Sequence, residues 1–332
     1  MRISLIIRGM VSWMSELMLA LACLIFALGF WSQQAGPLEK PGFFTIHHGT
    51  SVRMIAVQLA QAGIIDSAIL FEAAVRLQAI AGSSSSLKAG IYAFDASIPA
   101  ARVMTQLQMH DIAQFRILLP EGISNAMVEA QINADSRFSG PPVTIAPTAY
   151  LRPDSWFVAY GTQRQMFIQR LQQEGEKLLD RLWYKRDPDL PLATAYDALI
   201  LASIVEREAK KQEELPLIAG LFINRLQRRM RLQSDPTVIY ALTGGGFNLN
   251  RPLTRRDLHL ESPYNSYLNP GLPPTPISNP GLGALYAVLH PAQTDMLYMV
   301  ADGKGGHFFA RTLAQHHANV ARYRRIRSEN KP

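Results

Sequence analysis

Two glutamates, Glu206 and Glu208, stand in ALILASIVEREA, residues 198–209, a run that otherwise reads as a buried helix. A carboxyl group held against apolar neighbours loses solvation, keeps its proton to higher pH and becomes suited to act as a general acid. Glu206 follows Leu199, Ala202 and Ser203 by seven, four and three residues, which places it on an apolar stripe. Glu208 follows Leu201, Ile204 and Val205 with the same spacings, so periodicity does not choose between them. A solvated helix end would account for either.

Further along, RLQSDPT at 231–237 offers Gln233 and Asp235 as hydrogen-bonding groups for a sugar cleft. The plainer reading makes Asp235 an N-cap and Pro236 the first residue of a helix over Thr237–Leu242. SPYNSY at 262–267 leads into a proline-rich loop over Asn269–Gly281, and long loops of this kind are often binding loops. Tyr264, Asn265 and Tyr267 suit a sugar, since aromatic faces stack on pyranose C–H surfaces and amides match hydroxyls. Packing of the tyrosines explains them equally. Met296–Ala301 alternates as a strand, Asp302–Gly306 is a glycine-rich turn, and Lys304 and His307 are candidates to touch substrate from that hairpin. The glycines fit neither a phosphate loop nor a dinucleotide fingerprint.

These residues need a scaffold, and 332 residues at 48% hydrophobic content suffice for an anchor and two folded units. Ser51–Ala62 and Ser67–Ile80 read as short helices, Leu87–Phe94 as a strand after the Gly82–Ser86 loop, and Ala100–Met109 as a helix, giving a small α+β module. Phe115–Leu119 reads as a strand and Asn125–Asn133 as a helix capped by Ser124, whereas Ser139–Thr148 is too proline-rich for a helix. Helical runs at Thr162–Tyr184, Ala193–Lys211 and Leu215–Arg229 make the remainder mainly helical.

The single cysteine, Cys23, lies in an apolar run and excludes an intrachain disulfide or a thiolate metal site. The eight histidines show no HExxH spacing, so neither metal nor cofactor is expected. The net charge of +7 comes partly from arginines at Asn224–Arg231 and Arg322–Arg327, which read as solvated helix faces; no nucleic-acid signature accompanies them.

Val11–Trp31 has about the length of a membrane-spanning helix, with Glu16 near its leading end. Arg2 and Arg8 precede it and no basic residue follows until Lys40, which predicts a cytoplasmic amino terminus and an exterior location for everything after about residue 32. The run continues past Cys23 and Ser32–Gly36 offers no small-residue cleavage site, so an uncleaved anchor is expected over a signal peptide.

Taken in order, ASIVERE at 202–208, FINRL at 222–226, RLQSDPTVIYAL at 231–242, SPYNSY at 262–267, GLPPTPISNPG at 271–281, HPA at 290–292 and VADGKGGHFFA at 300–310 closely resemble the MltG, or YceG-like, family of endolytic murein transglycosylases. The resemblance covers roughly residues 45 to 325. It implies an α+β fold with one amino-terminal transmembrane helix, a LysM-like module and a mainly helical catalytic domain with hairpins and long loops. The expected divisions are a cytoplasmic tail at 1–10, the span at 11–31, a tether at 32–44, the LysM-like module at 45–113 and the catalytic domain at 114–328. The family's glutamate in the ASIVE motif falls on Glu206, which implies that Glu206 is the catalytic acid and base. The resemblance also implies a cleft lined by Gln233, Asp235, Thr237, Tyr264, Asn265, Tyr267, Lys304 and His307.

The implied reaction is endolytic cleavage of the MurNAc–GlcNAc β-1,4 bond of nascent strands, leaving a 1,6-anhydroMurNAc end and terminating elongation. The implied setting is the inner membrane, spanned once, with the catalytic domain periplasmic, glycan strands as substrate and peptidoglycan synthases as partners. The sequence departs from the family at Thr148–Leu151, where a Glu-Gly pair usually precedes the segment matching Arg152–Ser155, so the glutamate of that pair has no counterpart at this place in the chain. Two alternatives are a lysozyme-like hydrolase using Asp235 as a second carboxylate and a non-catalytic, membrane-tethered wall-binding protein.

The topology has a direct check. A reporter active only in the cytoplasm, fused after residue 40, is expected to be silent, and a reporter active only outside is expected to work. The reverse pattern, or a mature chain starting beyond residue 30, overturns the orientation.

Overall fold

The computed structural model describes residues 2–82 and 86–329, so residues 83–85 of the loop expected at Gly82–Ser86 lie outside the described residues. The chain forms two compact units, Met1–Phe115 with Val158–Gly161 and Arg116–Phe157 with Thr162–Pro332.

Helix α1 spans Arg2–Gln33, longer than the span expected at 11–31, because no proline interrupts the run. Its Trp13–Gln33 portion is long and apolar enough to cross a membrane, with a mean hydropathy of 2.0, and is compatible with a single-pass anchor. The segment expected to be a tether is built into the first unit. Leu28, Trp31 and Leu38 pack against its core, Ser97 N donates to Leu38 O at 2.7 Å, and Gly36 N donates to Ser97 O at 3.1 Å. Gly36 has no Cβ, which lets its backbone lie against the Ile98 and Ile64 carbonyls.

The first unit continues with β1 (Gly42–Ile46), α2 (Val52–Gln61), α3 (Ala68–Ile80), β2 (Gly90–Phe94) and α4 (Ala100–Met109). Ser51 and Ser67 cap α2 and α3 by accepting from Met54 N and Leu70 N. β1 and β2 pair antiparallel with Phe44 opposite Tyr92, and Ile55, Leu59, Phe71, Tyr92, Val103 and Leu107 form the core. β2 starts later than the expected Leu87 because Lys88 N donates to Leu107 O and Tyr92 OH donates to Lys88 O, turning residues 87–89 away from a ladder.

β3 (Gln114–Leu119) pairs with β4 (Asp154–Ala159), a strand that Pro153 and Asp154 conceal in the sequence. The second unit holds α5 (Asn125–Ala134), α6 (Arg164–Tyr184), α7 (Ala195–Glu208), α8 (Leu215–Gln227), α9 (Asp235–Thr243), α10 (Leu282–Leu289), the antiparallel hairpin β5 (Tyr298–Ala301) and β6 (His307–Ala310), and α11 (Leu313–Glu329). Helix α7 is its axis, packed against α8 and α10 through Leu201, Ile204, Val205, Ile218, Phe222, Leu285 and Val288.

Gly220 marks how closely α8 approaches its neighbour, since a Cβ there would meet the Ala292 carbonyl and come 3.0 Å from Thr294 Cγ2. The Ala292 segment cannot simply retreat, because its N–H donates to Pro216 O at 3.0 Å. Gly220→Ala gains about 1 kcal/mol of helix propensity, but overpacking against backbone costs roughly 1–3 kcal/mol. The expected outcome is a lower thermal midpoint for the second unit; a raised midpoint contradicts the packing.

Candidate active site

Helix α7 is fixed at its start by a reciprocal capping box, Thr194 Oγ1 accepting from Asp197 N and Asp197 Oδ2 accepting from Thr194 N. Every residue from Ala198 to Val205 is buried. The helix therefore runs through the core, and in its last turn Glu206, Arg207 and Glu208 leave in three directions.

Glu206 turns toward the proline-rich loop. Its Oε2 accepts from Gly281 N at 2.9 Å. Burial raises its carboxyl above the ordinary range, opposed by the Gly281 hydrogen bond and reinforced by the nearby Glu121 carboxylate. Glu121-Gly122 packs on the same spot, with Gly122 against the Glu206 side chain and the Glu121 carboxyl against Gly281. The loop is held to α7 at two further points, Ile277 N donating to Ser203 Oγ at 3.0 Å and Ser278 Oγ donating to Ser203 O at 3.0 Å. Glu206 completes this clamp.

Glu208, the last residue of α7, faces a different wall. Ser234 Oγ donates to Glu208 Oε1 at 2.6 Å, and burial pushes the carboxyl up to about 7 against the lowering effect of that bond, with Asp235 raising it and Arg225 lowering it. A negative charge at a helix carboxy terminus is disfavoured by the helix dipole, which also favours the protonated form. Glu208, and not Glu206, is among the residues lining a cleft of about 350 Å³ that also contains Arg225, Gln233, Asp235, Tyr267, His307 and Tyr323.

The cleft is rigidly built. Arg225 is buried in α8 and donates to the carbonyls of Leu297, Arg231 and Leu232 and to Gln233 Oε1, at 2.6, 3.1, 2.8 and 3.3 Å. Its hydrogen bonds thus go to neutral oxygens, and its charge acts on Glu208. Gln233 holds a left-handed backbone, φ 52°, pinned by its N–H to Ser266 O and by Ser234 N to Ser266 Oγ. Tyr267 OH donates to Asp235 Oδ1 at 2.6 Å. Burial and the charges of Asp235 and Glu208 keep that phenol protonated. His307 Nδ1 lies 2.7 Å from Glu214 Oε2.

The candidate residues fall on more than one face of α7. Glu208 lines this hollow with Gln233, Asp235, Tyr267 and His307, while Glu206, about 200° round the helix, meets Gly281 and Glu121. The cap of α9 is Ser234, not Asp235, and its hydroxyl serves Glu208 instead of the helix; Asp235 opens the helix and faces Tyr267. Thr237 is fully buried, with its hydroxyl on Ser234 O and Ser266 Oγ, so it ties the 262–267 loop to α9. Asn265 is fully buried and bonded to Leu258 O, Leu260 O and Tyr267 N, and Tyr264 packs on Tyr240 with its hydroxyl on Thr275, so both shape the loop. Lys304 is exposed at the tip of the hairpin turn. Gln233, Asp235, Tyr267 and His307 do converge. Arg225 was not anticipated as a cleft residue, although an arginine inside the apolar LPLIAGLFINRLQ helix was the available signal.

The YceG-like family profile matches residues 44–322. The chain is 28% identical to a protein of Bacillus subtilis named endolytic murein transglycosylase, over 89% of this chain and 88% of that one. It is also 28% identical to a Streptococcus pneumoniae protein of the same name, over 84% of this chain but 57% of that longer one. Among solved structures, a crystal structure of a yceG-like protein from Listeria monocytogenes superposes with a TM-score of 0.50 and 26% identity, covering 84% of this chain and 99% of that one. The matched span contains Glu206, Glu208 and every residue named above as lining the hollow except Tyr323, and the chain belongs to the YceG-like family.

Proposed function

We propose that the chain is a peptidoglycan lytic transglycosylase, cleaving the MurNAc–GlcNAc β-1,4 bond within nascent strands and thereby ending their elongation, with Glu206 as acid and base. The observation that carries this reading is a carboxyl at the end of a buried helix, set against the Gly281 loop and raised above the ordinary range by burial. Glu206 donates its proton to the glycosidic oxygen as the bond to the anomeric carbon breaks. The resulting carboxylate takes the proton of the muramic C6 hydroxyl while that oxygen bonds to the anomeric carbon. No water is consumed and the acid is regenerated. Intramolecular attack needs no enzyme nucleophile, which is why one carboxyl suffices where hydrolases use two.

The hollow on the other side of α7, with Arg225, Gln233, Asp235, Tyr267 and His307, offers hydrogen-bonding groups along the path of the strand. Asp235 in the same cleft favours one second reading, hydrolysis with Asp235 activating water. Product mass separates the two, because an anhydro end is lighter by one water than a hydrolysed end.

The setting follows the same proposal. Helix α1 anchors the chain in the inner membrane with the amino terminus cytoplasmic, the cleft lies outside, and the first unit holds glycan strands as a LysM-like module. Synthases of the same strands are the expected neighbours.

The two glutamates have opposite expectations. Glu206→Gln is expected to lower the rate of anhydro-product formation on isolated glycan strands about a hundred- to ten-thousand-fold. Glu208→Gln keeps an acceptor for the Ser234 hydroxyl and is expected to retain turnover within about tenfold. A silent Glu206 variant beside a dead Glu208 variant overturns the assignment and moves the acid to the other face of the helix.

A further inference from the structure

Glu214 has no part in the reaction as described, yet both its oxygens are committed to one cleft residue. Oε1 accepts from His307 N at 3.0 Å and Oε2 meets His307 Nδ1 at 2.7 Å. The two side chains are 16% and 13% exposed, so this is an interior contact, not a surface ion pair. The surroundings are arranged to permit it. Gly306 precedes His307, and a Cβ there would lie 2.5 Å from Glu214 Oε1, 3.0 Å from Asp302 Oδ2 and 3.1 Å from Lys211 Nζ. Asp302 Oδ1 in turn accepts from Lys304 N and Gly306 N, which fixes the turn that carries the histidine. Glu214 lies in the short 3-10 turn Gln212–Glu214 that follows α7, so the contact links the chain just after Glu208 to the β5–β6 hairpin.

We infer that Glu214 is the positioning residue for His307: it fixes the ring's rotation and its Nδ1 proton so that Nε2 is the nitrogen offered to the cleft. An ionised carboxylate can only accept, so the nitrogen facing it must carry hydrogen. With Nδ1 so occupied, Nε2 is left to meet a sugar oxygen, and a ring free to flip would present either nitrogen. The inference rests on the transglycosylase reading for what His307 touches, but not for how the ring is held.

The test uses the full chain in detergent micelles, labelled with 15N-histidine, with His307→Gln to assign the resonance. The neutral His307 ring is expected to show hydrogen on Nδ1 and a bare Nε2. In Glu214→Gln, where the amide can donate to the ring, the hydrogen is expected to move to Nε2. That variant is expected to lose kcat roughly tenfold to a hundredfold with KM within about twofold, and Glu214→Asp to recover part of the loss. A wild-type ring protonated on Nε2 overturns the inference, as does a folded Glu214→Gln chain whose kcat stays within about threefold of wild type. Absence of anhydro product from the wild-type chain would count against the reaction and not against the ring's orientation, which the spectrum reads by itself.

Discussion

The second unit is organised around two carboxyl groups placed where a charge is costly, in the last turn of a helix whose residues 198–205 are all buried. Desolvation raises both Glu206 and Glu208 above the ordinary carboxyl range. The Gly281 N–H opposes that rise at Glu206 and the Ser234 hydroxyl opposes it at Glu208. A carboxyl balanced in this way is suited to giving a proton and taking one back, as the proposed reaction requires of Glu206.

Much of the remaining structure holds the walls of that cleft in place. The walls come from α8, the approach to α9, the 262–267 loop and the β5–β6 hairpin, and each is tied by a buried polar contact. Thr237, Ser266 and Asn265 spend their hydrogen bonds on loop geometry, which leaves Gln233, Asp235 and Tyr267 free to line the hollow. Glu206 performs the same service on the other side of α7, holding the proline-rich loop through Gly281. The two glutamates of one helical turn thus meet different walls, Glu206 the Gly281 loop and Glu208 the Ser234 segment.

The sequence made the helices legible because their signals are local. Ser124 caps where expected, Ser51 and Ser67 at the starts of two expected helices prove to be their caps, and Ala100–Met109 is found with the expected limits. The long apolar helix was readable from composition, although its junction with the rest of the first unit was not, since the fit of Gly36 against Ile98 depends on residues far apart in the chain. β4 was hidden because its partner strand is distant in sequence and a proline precedes it. The site was half legible. Residue type and motif order found Gln233, Asp235, Tyr267 and His307, but equal apolar spacing behind Glu206 and Glu208 left the acid to be chosen by resemblance. Only the tertiary placement of Ser234 and Gly281 shows which wall each glutamate meets.

The central claim is that Glu206 is the group that carries the transferable proton. The direct measurement is a 13C titration of glutamate side-chain carboxyls in the full chain, with Glu206→Gln and Glu208→Gln used to assign the two resonances. The account predicts that the Glu206 carboxyl titrates above the ordinary glutamate range, as its burial dictates. Titration of Glu206 at or below the ordinary glutamate value of about 4.3 would contradict it, because such a group has no proton to give near neutral pH.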